Sequence, residues 1–71
     1  MTDVKLLKEK IADTGMTITA ISRKTGILRE TLYKKINGES EFKASEIAAI
    51  SEVLKLSRNE RDNIFFAPIV N

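Results

Sequence analysis

No cysteine occurs in the 71 residues, so a disulfide, a thiolate metal site and a cysteine nucleophile are all unavailable. Histidine is missing too, which removes the commonest metal ligand and the commonest base at neutral pH. The remaining carboxylates and lysines form no constellation beyond surface scatter. No catalytic residue, metal site or cofactor is assigned, and the chain is read as a non-enzyme. No apolar run approaches the roughly 20 residues needed to span a bilayer. The opening MTDVKLLKEK lacks the apolar centre of a secretory signal. The expectation is a cytoplasmic protein that makes no membrane contact. Linkers, repeats and low-complexity segments are also missing, so the chain is one small domain with a core too small for large internal cavities.

What charge there is lies unevenly. The formal net charge is +2. Residues 1–38 carry eight basic side chains (Lys5, Lys8, Lys10, Arg23, Lys24, Arg29, Lys34, Lys35) against four acids, a balance of +4. Residues 39–71 carry four bases against six acids, a balance of −2. A basic front half suits a phosphate-facing surface, although short helical domains also wear Lys and Arg simply to stay soluble.

The apolar residues follow helical spacing throughout. Val4, Leu7 and Ile11, with Ala12 beside them, form one inward stripe of a first helix that Thr2 or Asp3 can cap and Gly15 ends. Thr17 can cap a second helix, roughly Ile18 to Lys24, with Ile21 and Ala20 inward. Gly26 then supplies a left-handed helix end without a Cβ penalty, and Ile27 anchors the turn. A third helix runs from about Leu28 to Asn37 and stops at Gly38. In it Leu32 and Ile36 face inward, leaving Arg29, Glu30, Tyr33 and Lys34 outward. After a polar loop pinned by Phe42, a fourth helix places Ile47, Ile50, Val53 and Leu54 inward. Ser57 and Glu60 match a capping box that opens a fifth helix. The sole proline, Pro68, cannot continue that helix. The reading is all-α: a compact five-helix bundle over residues 3–14, 17–24, 28–37, 44–55 and 58–66, with no strands. The domain covers 1–66, and 67–71 form a short tail. Two short helices about a glycine turn, with basic outward positions on the second, make a helix-turn-helix unit.

The run T-x-x-x-I-S-x-K-T-G-I-x-x-x-T-L-Y-K-K-I-N-G, from Thr17 to Gly38, resembles the DNA-binding domain of the lambda-type repressor and Cro superfamily of small phage regulators. The stretch EFKASEIAAISEVLKLSRNERDNIFF is similar to the two closing helices of such domains. The resemblance implies a transcription regulator of the lysis/lysogeny genetic switch, binding double-stranded operator DNA through the second motif helix. Matched by position, Arg29, Glu30 and Lys34 fall where base-reading side chains lie. Arg29 can bond N7 and O6 of guanine, Glu30 can accept from the cytosine amine, and Lys34 can bond guanine or a phosphate. Leu28 and Thr31 can touch a thymine methyl. The phosphate candidates are Thr17, Thr31, Asn37, Gly38 and Lys43. The plainer reading of the same positions is an ordinary solvated face.

Two positions depart from the family pattern. Ile18 stands where the family usually has a glutamine, and Leu28 stands where it has a small hydroxyl residue. Neither side chain can bond a phosphate, and Glu39 and Glu41 place negative charge near the expected DNA backbone. These positions suggest a second reading, in which the chain is a modulator of repression or antirepressor. It would then form a heterocomplex with a phage lysogenic repressor, with Ile18 and Leu28 in the interface. The carboxyl-terminal cluster of Ile64, Phe65, Phe66, Ile69 and Val70 exceeds what a small core absorbs. Phe66, Ile69 and Val70 are therefore candidates for a homodimer interface.

Overall fold

The computed structural model describes residues 1–67. Its regular structure is entirely helical: α1 (Val4–Thr14), α2 (Ile18–Thr25), α3 (Arg29–Ile36), α4 (Ala44–Val53) and α5 (Arg58–Phe65). Three helix starts carry a side-chain cap. The Asp3 carboxylate accepts from Leu6 N at 3.0 Å, and Thr17 Oγ1 accepts from Ala20 N at 3.1 Å. Ser57 Oγ accepts from Glu60 N at 3.1 Å, while Glu60 Oε1 accepts from Ser57 N at 2.8 Å, a complete capping box. None of these helices, among the described residues, is long and apolar enough to cross a membrane.

The core draws on all five helices and two loops. Leu7 and Ile11 enter from α1, Ile21 from α2, Leu32 and Ile36 from α3, Ile47 and Ile50 from α4, and Ile64 and Phe65 from α5. Ile27 and Phe42 enter from the connections, and Leu54 from the end of α4. Phe42 meets Phe65 edge to face, with ring centroids 5.3 Å apart at 81°. Helices α1 and α5 also meet at the backbone, where Asp3 N donates to Ile64 O at 2.6 Å. Helix α2 packs on both α3 and α4, so the motif is wedged into the bundle rather than laid upon it.

Four positions differ from the sequence expectation. Ala12 is exposed, because the inward stripe of α1 runs along Leu7 and Ile11 with Leu6 beside it. Val53, the last residue of α4, is only half-buried, and Leu54 after it enters the core instead. Phe66 lies outside the helix expected to include it, because α5 ends at Phe65 and Phe66 is its cap, left 56% exposed. Ile69 and Val70 lie outside the described residues. The fourth is Lys35, counted above among the basic surface residues, which is only 7% exposed. It sits three residues after Leu32, on the inward stripe, and its ammonium is bonded to the Glu46 carboxylate of α4.

Glu46 serves two donors, since its Oε1 also accepts from Lys43 N at 2.7 Å at the start of α4. Burial opposes its charge, but the bonds from Lys35 and from Lys43 N outweigh that and hold its carboxyl below the ordinary 4.5. A carboxylate whose folded pKa is depressed adds stability above the unfolded pKa and loses it as pH falls through the folded one. Glu46→Ala leaves a buried ammonium unpaired and should cost about 3–5 kcal/mol in urea unfolding at neutral pH. The joint change Lys35→Met with Glu46→Leu should recover most of that loss. It should also weaken the fall in stability between about pH 4.5 and lower values, where the native protein loses the Glu46 contribution.

Candidate nucleic-acid interface

The turn between α2 and α3 is set by two hydroxyls and a glycine. Thr25 Oγ1 donates to Ile21 O at 2.8 Å and accepts from Ile27 N at 3.3 Å. Ser22 Oγ reaches across the turn to Ile27 O at 2.5 Å. Gly26 takes φ +79, and its N–H closes α2 on Ser22 O at 2.9 Å. The braced turn drops Ile27 into the core. The next residue, Leu28, takes φ −56 and ψ 138 and is 76% exposed. No side chain caps the start of α3.

Beyond that start, the outward side of α3 splits into two lanes. Arg29, Glu30, Tyr33 and Lys34 line one open depression of about 520 Å³ with Glu39. Leu28 and Thr31 line a second, of about 360 Å³, with Gly26, Ser45 and Ala49. Lys8 of α1 joins Ile18, Tyr33 and Asn37 around a third groove of about 310 Å³. Arg29 and Lys34 have no carboxylate within ion-pair range among the described residues.

Two cations of the basic front half are already committed inside the protein. Lys35 pairs with Glu46. Lys10 bonds Glu60 at 2.5 Å, and that bond, with the one from Ser57 N, pulls the Glu60 carboxyl from 4.5 to about 2. The free positive charge on α3 is therefore Arg29 and Lys34 rather than the three cations in its sequence.

The predicted reading residues Arg29, Glu30 and Lys34 are thus exposed together on one lane of α3. Among the phosphate candidates, Thr17, Asn37, Gly38 and Lys43 are exposed and Thr31 is half-buried. Asn37 and Gly38 follow α3 directly. Gly38 is kept small by close approach: a Cβ there would lie 3.2 Å from Val4 Cγ2. Of the two interface candidates in the motif, Leu28 is free, but Ile18 is not. Ile18 is half-buried and packed against the core cluster, so its apolar area already has an internal partner. Phe66 stands apart, over a groove it shares with Ala44, Ala48 and Arg61. Sequence reasoning missed Ser22, whose role shows only once the turn brings it to Ile27 O. Lys8, one of the basic side chains of the front half, lines a groove with Asn37.

A family model, the Cro/C1-type HTH DNA-binding domain, matches residues 6–60. The chain belongs to the Cro/C1-type helix-turn-helix family. Comparison with curated proteins and with solved structures gave no match. The family model runs from α1 into α5 and contains the whole braced turn, all of α3 and Lys43. As a Cro/C1-type protein it is a DNA-binding transcription regulator, with α2 and α3 as its helix-turn-helix.

In the turn of this Cro/C1-type domain Gly26 sits at φ +79, which no L residue enters freely. Gly26→Val should cost about 1–2 kcal/mol through the left-handed penalty alone, read as a lowered thermal midpoint. Open space surrounds that position, so steric clash adds nothing and Gly26→Asn should be the mildest replacement.

Proposed function

We propose that this Cro/C1-type domain is a phage or prophage regulator of the lysis/lysogeny switch, acting in the cytoplasm on operator DNA. The observation that carries the reading is the joint exposure of Arg29, Glu30 and Lys34 on one lane of α3. With α3 in a major groove, Arg29 bonds N7 and O6 of a guanine and Glu30 accepts from the amine of a cytosine. Lys34, nearer the carboxyl end, bonds a further guanine or a phosphate. Thr17, Thr31, Asn37, Gly38 and Lys43 then hold the sugar-phosphate backbone and set the register.

In the competing reading, capture of a lysogenic repressor through Ile18 and Leu28, the half-buried Ile18 packs partly against the core and offers a partner only the rest of its area. Leu28 alone is a small apolar anchor for a protein interface. DNA is the better-supported ligand.

Binding as a dimer on half-sites about one helical turn apart would raise affinity for an operator. The exposed Phe66 beside Ala44 and Ala48 is the described candidate for that contact. Phe66→Ser should shift the protein toward monomer in sedimentation equilibrium, and a wild type that is monomeric at high concentration would remove Phe66 from this role.

Operator binding has a direct test in gel-shift titrations against a selected site. Arg29→Ala should cost about 1–3 kcal/mol at one guanine and relax specificity there. Lys43→Ala should weaken all sequences alike and reduce the salt slope by about 1. If Arg29→Ala weakens every sequence equally, Arg29 positions the helix and does not read a base.

A further inference from the structure

We infer that Glu46 is a positioning residue for base recognition: one carboxylate oxygen sets the rotation of α3 and anchors the following loop at Lys43, giving both contact regions a common frame. The inference deepens the operator reading of α3 and rests on it. A shared atom carries it. Glu46 Oε1 accepts from the Lys35 ammonium of α3 and also from Lys43 N at 2.7 Å, at the start of α4. Lys35 is buried and Glu46 is half-buried beside it. Arg29, Glu30 and Lys34, the base-reading candidates, ride on the same helix as Lys35. Lys43, a phosphate candidate, is exposed at the other donor. Glu46 acts on DNA only through these two residues.

Small rotations of α3 matter at a base edge. With its side chains a helix has a radius of about 5–6 Å, so turning it by roughly 20° carries an outward tip about 2 Å. N–H···O bonds are made within a distance window of only about 0.5 Å. Leu32 and Ile36, the other buried residues of α3, make non-directional contacts that change little over such a turn. The start of α3 has no side-chain cap to resist it either. The Lys35 bond does resist, because hydrogen bonds weaken steeply off line, and Lys43 N fixes where its acceptor stands. Against two apolar side chains of equal size a buried pair adds little stability. Its effect is therefore to be sought in recognition as well as in unfolding.

The test selects an operator from random duplexes with the wild-type protein. Gel-shift titrations then compare that operator with random-sequence duplex, each variant being checked for folding by circular dichroism at the assay temperature. Lys35→Met with Glu46→Leu should lower the ratio of operator to random-sequence affinity by at least about fivefold, the worth of one mismatched base pair. Random-sequence affinity and its salt dependence should keep their wild-type values, because the double change removes one charge of each sign and no phosphate contact. A second comparison isolates the shared atom. Lys43→Ala and Lys43→Pro both lose the ammonium, but only proline also removes the N–H that holds Glu46. The φ of −77 at Lys43 already suits proline. Lys43→Pro should therefore lower the ratio, whereas Lys43→Ala leaves it unchanged. The inference requires both drops: an unchanged ratio in either folded variant overturns it and leaves the operator reading standing. If the apolar pair is unfolded, Lys43→Pro decides alone. An equal loss on operator and random sequence leaves the ratio unchanged and overturns the inference in the same way. A wild type that selects no sequence ends the operator reading and this inference with it.

Discussion

An ammonium and a carboxylate, both largely out of water, hold α3, the second helix of the helix-turn-helix, to the body of the domain. Lys35 points inward from α3 and meets Glu46, which at the same time caps the first turn of α4 through Lys43 N. Such a pair does little better than two apolar side chains of equal size once its desolvation is counted. What it adds is direction. An apolar stripe tolerates rotation or sliding of a helix, whereas the bond to Glu46 is satisfied at one azimuth. That azimuth presents Arg29, Glu30 and Lys34 together.

Direction matters because α3 is short. It has eight residues, below the roughly 12–15 at which an isolated helix becomes even marginally stable in water. Its existence depends on packing: Leu32 and Ile36 enter the core, and Lys35 lies between them on the same side. The braced turn performs the matching task at the other end, with Ser22 and Thr25 fixing where Ile27 enters. Helix α3 is thus held at its amino end by hydroxyls and at its carboxyl end by an ion pair.

Much of this was legible in the chain. The caps at Asp3, Thr17 and Ser57 and the glycine turn at Gly26 are local devices, encoded within four residues of where they act. Five helices followed from them and from the apolar spacing. The burial of Lys35 was also written in the spacing, three after Leu32 and one before Ile36, but its chemical type masked the phase. Ile18 and Ala12 were another matter. Which side of a helix end is covered depends on how α1, α2 and α3 lean on one another, and that is a property of the assembled bundle. Phe66 turned on where α5 stops, which one residue decides.

The same division of α3 has a bearing on how such a regulator changes over generations. The residues that hold the helix, Leu32, Lys35 and Ile36, are distinct from those turned outward, Leu28, Arg29, Glu30 and Lys34. Substitutions at exposed positions without core partners usually alter stability by no more than about 0.5 kcal/mol. Mutational drift in the outward set therefore proceeds almost independently of folding. A lineage can alter what this helix recognises one codon at a time while its scaffold stays under separate selection.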